Sequence, residues 1–165
     1  MGESKLTKHF ASEVELIDFA AQVGRLFPSD LPRAVIVGFS GTLGAGKTTF
    51  VRAMLRGRGY TGRVPSPTYT LLERYDLPGF TVVHLDLYRL GGDEELENLG
   101  LRDSLGDPAT AIVCEWPEHA PRFAMRCDLR LKLQETGATA RRLDLEACTD
   151  LGNKALEQCC QAGIK

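Results

Sequence analysis

The stretch Ser40 to Phe50, SGTLGAGKTTF, constrains the fold more than any other part of the chain. Within it, Gly41-Thr42-Leu43-Gly44-Ala45-Gly46-Lys47-Thr48 fits G-x-x-x-x-G-K-[ST], the P-loop. Glycines reach backbone torsions closed to other residues and put no Cβ in the way. Successive N–H groups can then curl around phosphate oxygens as an anion nest. The helix that follows aims its unpaired amides and partial positive charge at the same point. The setting agrees: the apolar run Ala34 to Phe39 reads as a buried strand, and Lys47 to Gly57 reads as a helix with Phe50, Val51, Met54 and Leu55 inward. The expected nucleotide contacts are Gly41, Leu43, Gly44, Ala45, Gly46, Lys47, Thr48 and Thr49. Lys47 serves as a point charge on the β- and γ-phosphates and the Thr48 hydroxyl as a ligand of Mg2+. The loop lacks the dinucleotide pattern G-x-G-x-x-G, and its Lys-Thr ending favours a nucleoside triphosphate, ATP in the first instance.

A P-loop needs an acidic residue at the end of a neighbouring strand to hold magnesium or its waters. Asp86, ending VVHLD, and Glu115, ending AIVCE, both follow apolar runs and qualify. The metal set is therefore Thr48, Glu115 and Asp86. Glu73, Asp76, Glu94, Glu95 and Glu97 read as solvated or capping residues. His84 lies two residues before Asp86 and shares its face of the strand; it is open to two readings, a tuner of the site or a satisfied core histidine. Trp116, the single tryptophan, follows Glu115 and can stack on a base, anchor a partner or pack at a rim. Pro65 and Pro67 bracket Ser66, each restricting the residue before it, so Ser66 to Thr68 reads as a constrained loop able to sense the γ-phosphate.

The rest of the chain supplies the frame. SEVE, opened by Ser12, is a capping box in which Ser12 and Glu15 satisfy each other's amides. Val14, Ile17, Phe19, Ala20, Ala21 and Val23 give the helix behind it an apolar face. Phe80 to Leu90 and Thr110 to Glu115 begin as apolar strands, and the stretch Gly92 to Leu105 holds a short acidic helix capped by Asp93, with Gly100 as its C-terminal stop. CDLRLKL and ARRLDLE alternate strictly around QETGAT, a β-hairpin. The fold expected is an α/β, P-loop NTPase-like sandwich: a mostly parallel sheet, helices on both faces and a C-terminal antiparallel hairpin. Residues 1–150 form a single domain, and 151–165 a tail that is a weak helix or disordered.

Composition narrows the function classes. A chain of 165 residues with net charge −2 carries no overall signature of nucleic-acid binding. Arg52, Arg56, Arg58 and Arg63 read as a solvated helix face and loop. Five cysteines, without a CxxC pair or metal-ligand spacing, suit a reducing cytoplasm, with Cys114 and Cys127 as small buried hydrophobes. No apolar run reaches membrane-spanning length. The N-terminus has neither an apolar signal core nor a myristoylation pattern, since Leu6 stands where Ser or Thr is required.

Taken in order, GTLGAGKTTF, SPTYTLLERY, HLDLYRL, EELENLGLRD and EWPE resemble the TsaE (YjeE) family over roughly residues 12 to 147. SPTYTL and LDLYRL are the more specific part, because many families share the P-loop. The resemblance implies a magnesium-dependent ATPase, slow alone, required for threonylcarbamoyladenosine modification of tRNA. It implies partners similar to TsaD and TsaB, whose complex ATP hydrolysis drives or resets, with tRNA met only through that complex. Carried over, Lys47 contacts phosphate, Thr48 and Glu115 hold magnesium, and Asp86 positions or activates the attacking water. Ser66, Pro67 and Thr68 form a switch-like loop, and Trp116 lies near the nucleotide. The family usually has aspartate as the second P-loop residue; Thr42 here removes a negative charge beside the phosphates. The protein is expected to be monomeric alone. Two other readings stand beside this one: a small-molecule P-loop kinase, and a nucleotide-dependent binding module with incidental hydrolysis.

Overall fold

The computed structural model describes residues 4–165. Expectations drawn from the first residues of the N-terminus fall partly on Met1, Gly2 and Glu3, outside the described residues. The strands are β1 (Lys5–Phe10), β2 (Val35–Ser40), β3 (Leu72–Leu77), β4 (Phe80–Asp86), β5 (Thr110–Glu115), β6 (Leu129–Glu135) and β7 (Arg141–Ala147). The helices are α1 (Glu13–Leu26), α2 (Lys47–Gly57), α3 (Asp93–Glu97), α4 (Arg102–Leu105), α5 (Pro121–Ala124) and α6 (Asp150–Ala162). One seven-stranded sheet runs in the order β1-β7-β6-β2-β5-β4-β3. Its centre is parallel, β2 pairing with β5 and β6, and β4 with β5. Both edges are antiparallel, β1 on β7, β7 on β6, and β3 on β4. The sheet is thus mixed, with the expected hairpin at β6–β7.

Strand β2 is buried on both faces, which explains its unbroken apolar run. Val35, Val37 and Phe39 join one core cluster with α1, α2 and α6; Ala34 and Ile36 join another with Leu96 of α3 and Phe123 of α5. Helices α1 and α2 meet with backbones in near contact. A Cβ on Gly24 would lie 1.9 Å from the Met54 carbonyl oxygen, and one on Gly57 the same distance from that of Ala21. Only glycine permits this approach, which seats α2, the helix that follows the P-loop, against α1.

Several elements differ from the sequence expectation. In the capping box, Ser12 Oγ accepts from the Glu15 amide, but the Glu15 carboxylate accepts from Ala11 N at 2.8 Å, one residue further back. Val14 and Ile17 are exposed; the face that packs carries Leu16, Ala20 and Gly24, the i, i+4 row facing α2. The acidic segment splits into α3 and α4 around Gly100, at φ +72°. Asp93 does not cap its own helix. Its carboxylate accepts from the amides of Arg122 and Phe123, capping α5 across the fold. Strand β1 was not among the expected elements: only Leu6, Lys8 and Phe10 turn inward, between exposed Lys5, Thr7 and His9.

The C-terminal segment is the largest departure. Where a weak helix or disorder was expected, α6 runs for 13 residues, and Thr149 Oγ1 caps it by accepting from Gly152 N at 3.0 Å. Ala155, Leu156, Cys159 and, beyond it, Ile164 enter the core cluster. Its start is pinned by Asp128, which is fully buried and accepts from Thr149 Oγ1, Ile36 N and both terminal nitrogens of Arg33. Cys114 and Cys127 are buried as expected, and burial pushes the Cys127 thiol up to about 11.

Truncating a core leucine costs about 2–5 kcal/mol. Leu156→Ala is therefore expected to lower unfolding free energy by that order in urea titration. A loss below about 0.5 kcal/mol, the range of ordinary surface substitutions, would mean that α6 is not docked.

Candidate nucleotide site

Three strand ends lie level at the C-terminal edge of the parallel centre. Phe39 of β2 pairs with Glu115 of β5, and Glu115 with Asp86 of β4. Beyond Phe39 the chain enters the P-loop through Ser40 and Gly41, so the loop and the two carboxylates face one space. That space is a cleft of about 300 Å³ lined by Leu43, Gly44, Gly46, Lys47, Thr48, Thr49, Ser66, Thr68, Asp86, Tyr88, Glu115 and Trp116. Of the residues expected at the site, Gly41 opens instead on an adjoining groove, and Ala45 is buried beneath the loop.

The loop has the torsions its glycines permit. Gly41, Gly44 and Gly46 have φ of +145°, +79° and +107°. Gly46 is the N-cap of α2, and the first intrahelical amide bond runs from Phe50 N to Gly46 O at 2.9 Å. The amides of Lys47, Thr48 and Thr49 therefore precede the helical ladder and point out of its N-terminus. Lys47 is nearly buried. Its Nζ donates to the carbonyls of Gly41 at 2.6 Å and Thr42 at 3.0 Å and sits 4.3 Å above the Trp116 ring. Burial lowers the pKa of its ammonium, opposed by the charges of Glu115, Asp86 and Glu118.

Opposite the loop, Thr48 Oγ1 donates to Glu115 Oε1 at 2.8 Å. The same oxygen contacts His84 Nε2, also at 2.8 Å. Asp86 is held by two donors: Tyr88 N to Oδ1 at 2.9 Å and Thr68 Oγ1 to Oδ2 at 3.0 Å. Thr68 Oγ1 also contacts Ser66 Oγ at 2.7 Å, so the loop bracketed by prolines closes directly on Asp86. Trp116 adopts the left-handed region at φ +57° and Leu71 at +64°, rare for side chains of this kind. Such strain persists where the surroundings over-determine it, which is common at functional sites. Here the Trp116 amide donates to Phe39 O, and its ring packs on Tyr88 and His119.

Sequence reasoning missed two participants. Tyr88 lines the cleft and packs on Trp116; its place in HLDLYRL, just past Asp86, is the signal that could have raised it. Arg141 of β7 donates from Nε to the Ala45 carbonyl at 3.0 Å and buttresses the loop from a strand almost a hundred residues away, which local pattern does not reveal.

Residues 10–143 match the family model described as "Threonylcarbamoyl adenosine biosynthesis protein TsaE". A curated tRNA threonylcarbamoyladenosine biosynthesis protein TsaE from Haemophilus influenzae is 36% identical over 92% of this chain and 95% of its own length. One from Streptomyces coelicolor is 37% identical over 81% of this chain and 91% of its own. The crystal structure of Bacillus subtilis YdiB has the same fold, with a TM-score of 0.74 over 98% of both chains at 20% identity.

The loop geometry makes a direct prediction. A Cβ on Gly41 would lie 2.4 Å from the Leu133 carbonyl oxygen, at a positive φ that side chains avoid. Backbone strain of this kind alone costs about 1–3 kcal/mol. Gly41→Ala is expected to lose at least that in chemical unfolding; stability equal to wild type would contradict the close approach of loop and β6.

Proposed function

The chain belongs to the TsaE family of tRNA threonylcarbamoyladenosine biosynthesis proteins, and on that premise we propose that it is a magnesium-dependent ATPase serving that tRNA modification. Hydrolysis drives or resets a complex of TsaD-like and TsaB-like proteins. The observation that carries this reading is the convergence, in one cleft, of the P-loop amides, Lys47, Thr48, Glu115 and Asp86.

The donor set fits magnesium. Thr48, Glu115 and Asp86 offer hard oxygens, although no group of three or more His, Cys, Asp or Glu that could hold a metal ion occurs among the described residues. Magnesium commonly takes one or two carboxylates, waters and the phosphates of its nucleotide. Thr48, Glu115 and Asp86 would hold it, and it would supply positive charge against the charge developing in phosphoryl transfer. The α2 amides and Lys47 grip the β- and γ-phosphates, with Lys47 exchanging its carbonyl partners for phosphate oxygens. The adjoining groove of about 530 Å³, bordered by Thr42, Trp116, Glu118 and Lys132, has room for the nucleoside. Asp86 orients the attacking water, and Thr68, bonded to Asp86, links the Ser66–Thr68 loop to the γ-phosphate position.

Turnover in isolation should be slow. Among the described residues no arginine lines the cleft. Arg89 stacks 4.3 Å from the Tyr69 ring, and Arg102 borders a separate groove. An added positive charge in the transition state is worth about 10³–10⁵ in such enzymes, so docking of the partner complex would supply it or release one held here. The protein is monomeric on its own and cytoplasmic, and it meets tRNA only through its partners. No helix among the described residues is long and apolar enough to cross a membrane.

Lys47→Ala is expected to reduce ATP hydrolysis by about 100-fold or more. Asp86→Asn is expected to retain nucleotide binding while losing about 10²–10⁴ in rate. Hydrolysis measured with and without the TsaD–TsaB pair should rise strongly with the partners. Absence of stimulation, or full tRNA modification by Asp86→Asn, would favour a binding module in which hydrolysis is incidental.

A further inference from the structure

His84 is a fully buried titratable side chain at the site to which the reading above gives no task. It is fully buried in β4, on the same sheet face as Val82 and Asp86. Its Nε2 lies 2.8 Å from Glu115 Oε1, while Nδ1 has no hydrogen-bond partner. A carboxylate only accepts, so Nε2 carries the proton of this contact, and Nδ1 stands buried without a partner. An unpaired buried nitrogen is costly. Its retention calls for a return elsewhere, and the return lies on Glu115.

Two donors meet on one oxygen. Thr48 Oγ1 and His84 Nε2 both bond Glu115 Oε1, one from the P-loop helix and one from the adjacent strand. Both bonds fall on Oε1, leaving Oε2 without one, and Glu115 lines the cleft. With Oε1 fastened from two directions, rotation of the carboxylate is restrained. Groups that orient a metal-binding side chain in this way typically set affinity by about 10–100-fold.

We propose that His84 is a positioning residue: its Nε2–H fixes the Glu115 carboxylate so that the free oxygen faces the magnesium of the bound nucleotide, or a water of that ion. This rests on the ATPase reading above. It predicts that His84 governs how much magnesium tightens nucleotide binding, while leaving metal-free binding through the loop amides untouched.

The test is calorimetric titration of ADP into the full chain, in magnesium and in EDTA, for wild type, His84→Gln, His84→Asn and His84→Phe. The glutamine amide nitrogen reaches the position of Nε2; the asparagine amide falls short of it; phenylalanine fills the space without a donor. In His84→Asn and His84→Phe the ratio of EDTA to magnesium dissociation constants should fall about 10-fold, with the EDTA constant unchanged. In His84→Gln the ratio should return to within about 3-fold of wild type, part of the same span. An unchanged ratio in His84→Asn overturns the proposal, as does an equal loss in Asn and Gln. Should His84→Phe fail to fold, the polar pair decides alone. If wild type binds no nucleotide in either condition, the ATPase reading falls and this inference with it. If wild type binds with a magnesium-dependent gain that His84→Asn keeps, only the role of His84 is lost.

Discussion

The lateral register of three parallel strands is the constraint on which the site depends. Phe39, Glu115 and Asp86 stand side by side because β2, β5 and β4 pair in parallel without offset at their C-terminal ends. Side chains alternate along a strand, so a slip of one residue would turn a carboxylate to the opposite face. The register is held by burial: Val35, Val37, Val82 and Val113 pack on one side, Ile36, Val83, Leu85 and Ile112 on the other. Core packing thereby becomes chemistry. The cluster that stabilises the sheet also sets two acids opposite a helix N-terminus.

The cleft walls differ in how they are held. The P-loop is braced from several sides: α1 against α2 at Gly24 and Gly57, β6 beneath Gly41, and Arg141 on the Ala45 carbonyl. The Ser66–Thr68 loop rests on fewer contacts, chiefly the bond from Thr68 to Asp86 and the amide of Leu71 on the Pro67 carbonyl. A braced P-loop facing a loop with fewer contacts is the arrangement that the proposed γ-phosphate sensing calls for. Exposed Tyr69, with Arg89 stacked on it, continues that loop at the surface, where a partner could reach it.

Much of this was legible in the sequence because local pattern carried it. The P-loop is a contiguous motif, and Asp86 and Glu115 each end an apolar run, so strand ends could be read without knowing which strands pair. The hairpin of β6 and β7 alternates clearly enough to be recognised alone. What escaped depends on distant partners. Lys5 to Phe10 is too polar to read as a strand until β7 offers it an edge and Leu6 reaches the core. Helix α6 buries small and sparse apolar residues, Ala155, Leu156 and Cys159, whose spacing gains meaning only when Asp128 pins the Thr149 cap. Asp93 looked like a cap for the residues beside it, but its acceptors were taken by amides nearly thirty residues later. Likewise, the sequence left His84 between two roles, and the contact with Glu115 on which the proposed positioning role rests is made to a residue 31 positions away.

The site therefore joins a general device, loop amides and a lysine at a helix N-terminus, to two local features: the loop closing on Asp86 and a tryptophan in the left-handed region beneath Lys47. The most direct measurement is a crystal structure of the chain with magnesium and a non-hydrolysable ATP analogue. The account predicts the β- and γ-phosphates within hydrogen-bonding distance of the Gly44 to Thr49 amides, magnesium on Thr48 Oγ1, and Glu115 and Asp86 facing the ion and the γ-phosphate. A polyphosphate bound elsewhere, or one in the loop with both acids remote from it, would contradict it.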